Sequence, residues 1–197
     1  MTPLFGEVLS RPLAAALREL GGGDVLEVGA GSGALMAALL PALAGAGAPL
    51  GGYRILEVSP DLRERQQRRL AALPPGLAGR VTWEDGLPAG FQGVVVANEV
   101  VDALPVHRVR IDASGDGEWY VVATPDGFGW ELGAPETPAV AARIAAVREL
   151  LGDRLEPPYD TEVALEGPAW VEAVAGSLAA GLVLIIDYGY PRREYYH

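Results

Sequence analysis

The sequence predicts a doubly wound α/β fold: a mostly parallel sheet with helices on both faces. Three observations carry that expectation. Strand-like and helix-like segments alternate through the first hundred residues, a rhythm that produces parallel strands joined by helical crossovers. A glycine-rich turn, Gly29-Ala30-Gly31-Ser32-Gly33, follows the first apolar strand. Polar groups stand where later strands end, at Glu57, at Asn98-Glu99 and at Asp187, and ligands bind outside strand carboxyl ends in this architecture.

Taken in order, Ser10, Arg11 and Pro12 read as a helix start, with Ser10 as cap. Leu13, Leu17 and Leu20 continue it at helical spacing, and Gly21-Gly22-Gly23 ends it. Residues 24–29 form a buried strand, and residues 34–43 a helix. The next strand spans residues 53–58. Ser59 and Pro60 then open an arginine-rich helix that ends near Leu73. Short apolar runs at 81–83 and 93–97 are further strands.

After residue 105 the rhythm changes. Residues 106–111, 119–123 and 128–132 are strand candidates separated by Ser114-Gly115-Asp116-Gly117 and Pro125-Asp126-Gly127, which are hairpin signals. A helix follows over 137–151. Another covers 168–180, is stopped by Gly181, and feeds a strand at 182–186. The expectation is one domain over residues 1–197, with an antiparallel β/helical insertion at approximately 106–165.

Composition narrows the chemistry. The chain has 197 residues and no cysteine, so disulfides, thiolate nucleophiles and cysteine-bound metals are excluded; a cytoplasmic location is the matching expectation. All 15 basic residues are arginine, against 26 acidic ones, for a net charge of −11. Lysine chemistry is therefore ruled out, and a nucleic-acid partner is disfavoured because a phosphate backbone would be repelled. No apolar run approaches the roughly 20 residues of a membrane span. The histidines, His107 and His197, are too few and too separated to suggest a metal site.

The glycine turn is where chemistry concentrates. Glycine lets the chain turn sharply with unusual backbone angles and lets a ligand approach the backbone. Gly29, Gly31 and Ala34 also satisfy the dinucleotide fingerprint G-x-G-x-x-A. Three features favour S-adenosylmethionine (SAM) instead. Glu27 precedes the first glycine by two residues, Gly33 adds a third glycine, and the turn holds no arginine, whereas SAM brings a sulfonium cation rather than a pyrophosphate. Glu57 is placed to accept hydrogen bonds from ribose hydroxyls, which NAD would share. Asp85, in Glu84-Asp85-Gly86, is placed to accept one from the adenine amine. Asn98, Glu99 and Asp102 close the fourth strand, the two carboxylates one helical turn apart if a helix begins there. They could hold a cationic acceptor and take its proton, or merely cap the helix. Tyr188 and Tyr190 could supply an aromatic wall for a cation. The arginines from Arg63 to Arg69 read as a solvated helix face.

Several blocks together resemble a known family. Phe5-Gly6-Glu7, Glu27-Val28-Gly29-Ala30-Gly31-Ser32-Gly33, Leu56-Glu57-Val58-Ser59-Pro60, Asn98-Glu99-Val100-Val101-Asp102-Ala103-Leu104-Pro105, Ile186-Asp187-Tyr188-Gly189-Tyr190 and Glu194-Tyr195-Tyr196-His197 occur in this order. They are similar to the MidA-type SAM-dependent methyltransferases, which include a mitochondrial complex I assembly factor that methylates protein arginine. The resemblance implies a Rossmann-like class I methyltransferase sheet with a SAM site at Glu27, Gly29, Ala30, Gly31, Gly33, Glu57, Asp85 and Asn98. It implies Glu99 and Asp102 as catalytic groups, and a protein substrate such as a respiratory-complex subunit. Family members extend further at both ends, so the sheet is expected to show an open edge, which invites a homodimer. The rival readings are a non-catalytic assembly scaffold that keeps the fold, and an NAD(P)-dependent oxidoreductase.

Overall fold

A computed structural model describes residues 3–196. Along the chain run α1 (Pro3–Glu19), β1 (Gly23–Val28), α2 (Ala34–Gly45), β2 (Leu50–Leu56), α3 (Pro60–Leu70), α4 (Pro75–Ala78), β3 (Val81–Glu84) and β4 (Phe91–Asn98). They are followed by β5 (His107–Ile111), β6 (Gly117–Thr124), β7 (Gly127–Gly133), α5 (Pro138–Leu151), β8 (Tyr159–Val163), α6 (Glu166–Ser177), β9 (Leu178–Ile186) and α7 (Arg192–Tyr195). These elements make two compact units. One holds the described residues up to Asp102 together with Val171–Tyr188; the other holds Ala103–Trp170 and the described residues from Gly189 onward.

The first unit is built on a five-stranded parallel sheet in the order β3-β2-β1-β4-β9. Parallel strands are buried on both faces and read as continuous apolar runs, which is why Val25, Leu26, Val94, Val95, Val96 and Ala97 are all fully enclosed. On one face, Leu13 and Leu17 of α1 and Leu35, Leu39 and Leu43 of α2 join Val25, Tyr53, Ile55, Val94 and Val96 in one core. Gly6 lets α1 lie close to α2, because a Cβ there would meet the Ala38 side chain at 2.5 Å. The strand order reverses between β1 and β4. The crevice beyond their carboxyl ends is the switch point at which such sheets bind ligands.

Several local expectations need correction. α1 begins at Pro3 rather than at Ser10, so Pro12 lies inside the helix and the Ser10 hydroxyl donates back to the Glu7 carbonyl at 2.7 Å. The apolar stripe Phe5-Leu9-Leu13-Leu17 packs on the core, and that burial overrides the local stop-and-start signal. β2 starts three residues earlier than expected and ends at Leu56, leaving Glu57 just beyond the strand. The helix expected over 168–180 runs instead over Glu166–Ser177 and passes straight into β9. Gly181 does not stop a helix. It sits inside β9 opposite Gly93 of β4, where a Cβ would collide with the Gly93 carbonyl. The Ser59 cap is present as expected, accepting from Leu62 N at 3.4 Å. Thr137, expected as the first residue of its helix, caps it instead by accepting from Val140 N at 3.3 Å.

The second unit is an antiparallel sheet in the order β7-β6-β5-β8. β8 has no counterpart among the expected strands. It pairs with β5 along its whole length, from Ile111 opposite Tyr159 to His107 opposite Val163. Helix α5 covers one face, where Val109, Ile111, Val140, Ile144, Val147 and Val163 form a separate core. On the other face Arg110 chelates Asp160 at 2.6 and 2.9 Å, and the Arg108 guanidinium lies 5.0 Å from the Trp130 ring centre. Within this unit His107 Nδ1 lies 2.6 Å from Glu118 Oε1, and Glu136 adds a third ligand atom within 4.8 Å. Tyr195 and Tyr196 stack edge to face at 4.9 Å; His197 lies outside the described residues. Among the described residues no helix is long and apolar enough to cross a membrane.

Candidate active site

The candidate cofactor and catalytic residues fall in the first unit, at the carboxyl ends of β1, β2, β3 and β4, with Asp187 and Tyr188 at the end of β9. The turn after β1 uses three left-handed glycines, with φ of 65° at Gly29, 53° at Gly31 and 74° at Gly33. A side chain would be strained at each position. Space adds a second reason at two of them: a Cβ on Gly29 would press on Val100 at 3.0 Å, and one on Gly33 on Gln66 at 3.2 Å. Around Gly31 nothing lies within 4 Å of that position, so the backbone there faces open space. α2 starts directly after the turn with Gly33 at its cap and no capping side chain, leaving backbone N–H groups to face the crevice.

Glu27 lies within β1 and is 3% exposed. Its Oε2 accepts the Tyr53 hydroxyl at 2.6 Å. Burial, against the pull of that hydrogen bond and with help from the nearby Glu57 charge, pushes the Glu27 carboxyl up to about 7. Glu57 is also buried. Its Oε1 accepts Ser59 N at 3.0 Å and its Oε2 accepts Gln66 Nε2 at 3.2 Å. Asp85 projects from the end of β3 with its side chain almost wholly exposed, tied to Arg63 at 2.8 Å. Arg63 also donates to the Glu57 and Glu84 carbonyls at 2.6 and 2.8 Å. That corrects the reading of Arg63 as part of a solvated face: it staples the end of β2 to the end of β3.

Beyond β4 the chain does not form a helix, so Glu99 and Asp102 are not spaced by a helical turn. Glu99 takes a left-handed conformation, φ 52°, uncommon for a residue with a side chain. Its N–H is held by the Ile186 carbonyl at 2.8 Å. Asp187 holds the rest of the segment, accepting Val101 N at 3.0 Å and Asp102 N at 3.1 Å on one oxygen and Tyr188 N at 2.9 Å on the other. The Tyr188 hydroxyl is paired with Asp102. That bond, with the charges of Asp102, Asp187 and Glu99, holds the phenol above its ordinary value. Four acidic and phenolic groups therefore gather at the adjoining ends of β4 and β9. Tyr190, the other aromatic candidate, belongs to the second unit.

The donor set fits SAM, and the features it shares with dinucleotide sites leave the choice between them to the family. The crevice offers an enclosed carboxylate at Glu57 that fits a ribose diol and uncapped helix N–H groups that fit an anionic end, the amino-acid carboxylate in the case of SAM. Residues 8–197 match the model of a family described as "Putative S-adenosyl-L-methionine-dependent methyltransferase". The chain belongs to this family. SAM is accordingly its cofactor. Two crystal structures of Burkholderia thailandensis proteins, each 44% identical, superpose with a TM-score of 0.88 over 99% and 100% of the chain. One of them holds S-adenosyl-homocysteine (SAH). The chain spans 51% and 49% of the lengths of those relatives. No curated protein matches the chain.

Two residues of this site, Gln66 and Tyr53, had no role in the sequence reading, and Arg63 had only that of a solvated surface residue. The available signal was the spacing Leu62-Gln66-Leu70 on α3, which sets an uncharged polar residue on the apolar side of a highly charged helix.

Proposed function

We propose that this chain methylates an arginine guanidinium on a protein partner, as its resemblance to the MidA-type enzymes implies. The observation that carries the reading is the exposed anionic cluster of Glu99, Asp102 and Asp187 beside Tyr188 at the adjoining ends of β4 and β9, which suits a cation. SAM, when bound, supplies a methyl group on a sulfonium. Gly29, Ala30, Gly31 and Gly33 would hold its amino-acid end, Glu57 the ribose hydroxyls, and Asp85 and Asn98 the adenosine. Glu99 and Asp102 would orient the guanidinium by charge-assisted hydrogen bonds and take the proton that its nitrogen loses. Most of the rate would come from holding acceptor and donor in line. A respiratory-complex subunit and a cytoplasmic setting remain part of this proposal.

The test is transfer of labelled methyl from SAM into extract proteins, followed by amino-acid analysis. Methylarginine is the expected product. Glu99→Gln and Asp102→Asn should each lower the yield about 100-fold while SAH affinity stays within about twofold of the parent. A parallel loss of SAH affinity, or label in another residue type, would overturn the assignment.

A further inference from the structure

Gln66 is completely enclosed. Burying a primary amide is costly unless each of its groups is paired. Here all are used. Nε2 donates one hydrogen to the Gly31 carbonyl at 2.8 Å and the other to Glu57 Oε2 at 3.2 Å, while Oε1 accepts the Trp83 indole N–H at 2.8 Å. One side chain on α3 thereby joins the turn after β1, the residue after β2 and the middle of β3. Its Cγ and Cα also fill the space beside Gly33, which explains why a third glycine is needed there.

The direction of these bonds matters. Pulling the Gly31 carbonyl toward α3 turns the Ser32 N–H of the same planar peptide the opposite way, because the two groups of a trans peptide point apart. The hydrogen bond from Gln66 and the one from Ser59 N leave Glu57 its remaining lone pairs in a fixed direction.

We propose that Gln66 is a positioning residue that locks the glycine turn and Glu57 into a single cofactor-binding arrangement, so that the two contacts form together or not at all. This rests on the reading of the turn and Glu57 as cofactor contacts. Trp83 fixes which end of the amide faces the turn, since its N–H can pair only with the carbonyl oxygen.

The experiment is calorimetric titration of the whole chain with SAH, for the parent, Gln66→Leu, Glu57→Gln and the double variant, with a thermal melt of each. Gln66→Leu should weaken SAH about 10- to 100-fold, the cost of leaving buried partners unpaired. Glu57→Gln should cost clearly less on the Gln66→Leu background than alone, because its carboxylate has already lost its anchor. Should Gln66→Leu fail to fold, Trp83→Phe removes the orienting bond with part of the packing of Trp83 on the core. It should therefore lower the melting point by a few degrees and weaken SAH several-fold at a temperature where the variant is still folded. Affinity of Gln66→Leu within twofold of the parent, or strictly additive losses, overturns the proposal. A parent that does not bind SAH overturns the cofactor contacts themselves. Loss of affinity in Gln66→Leu with none in Glu57→Gln overturns the Glu57 contact and the coupling built on it.

Discussion

The Tyr53 hydroxyl donates to Glu27 Oε2 at 2.6 Å inside the sheet, where Tyr53 is fully enclosed and Glu27 is 3% exposed. The phenol stays protonated because burial and the adjacent carboxyl both hold it well above its ordinary value. The carboxyl, in turn, is lifted from 4.5 to about 7, chiefly by burial.

This pair sets a pH dependence. The folded first unit binds a proton at Glu27 that the unfolded chain releases between its ordinary value and about 7. Stability from this group is therefore complete below pH 4.5 and is lost as pH rises through 7. The loss amounts to about 3 kcal/mol by pH 8. Hydrogen exchange at the Val25 and Leu26 amides, followed from pH 5 to 8, should show it. Glu27→Gln keeps an acceptor for Tyr53 and carries no titration, so its profile should lack that decline. A variant slope equal to the parent's would contradict the assignment.

Asp187 has a different job. One of its oxygens collects the N–H groups of Val101 and Asp102, and so holds open the turn on which Glu99 adopts its left-handed backbone. These bonds are solvent-exposed, so Asp187→Ala should cost only about 1 kcal/mol of stability. Amide exchange at Val101 and Asp102 should quicken, and methyl transfer should fall about 10-fold or more while SAH affinity is retained. Unaltered exchange at both amides would remove Asp187 from this role.

What the sequence discloses follows the range of the interactions involved. The apolar runs of β1 and β4 and the cap pair Ser59-Pro60 are local signals, and they mark their elements correctly. Ser10-Pro12 imitates the same cap signal but loses to the stripe that buries Leu9, Leu13 and Leu17. β8 is polar and acidic by sequence and becomes a strand only through β5, where Asp160 meets Arg110 from fifty residues away. Gly181 reads as a helix stop until Gly93 is seen beside it. The site behaves likewise. Glycine turn and strand-end carboxylates are visible as spacing, whereas the partners of Gln66, Arg63 and Asp187 come from separate strands that only folding brings together.

Glu118 gives the second unit its own sensitivity to acid. It is 4% exposed and is met by His107 Nδ1 at 2.6 Å, the Glu136 amide at 2.7 Å and the Tyr120 hydroxyl at 3.1 Å. Burial pushes its carboxyl up, but the Glu136 N–H, His107 and Tyr120 together outweigh that and hold it below its ordinary value. A depressed carboxyl contributes stability above its unfolded value and loses it as pH falls through the folded one. The β5 amides of Val109 and Ile111 should therefore exchange faster as pH drops below the usual carboxylate range, with the first unit's sheet unaffected by this group. Glu118→Gln, which can satisfy only some of the three donors, should remove that acid limb. Glu118→Ala leaves His107 and the Glu136 amide without this acceptor, while the Tyr120 hydroxyl keeps the Ala134 carbonyl at 2.7 Å, and should cost about 2 kcal/mol at neutral pH. An acid limb that persists in Glu118→Gln would mean that another carboxylate of the unit, such as Asp160 beneath Arg110, carries the dependence instead.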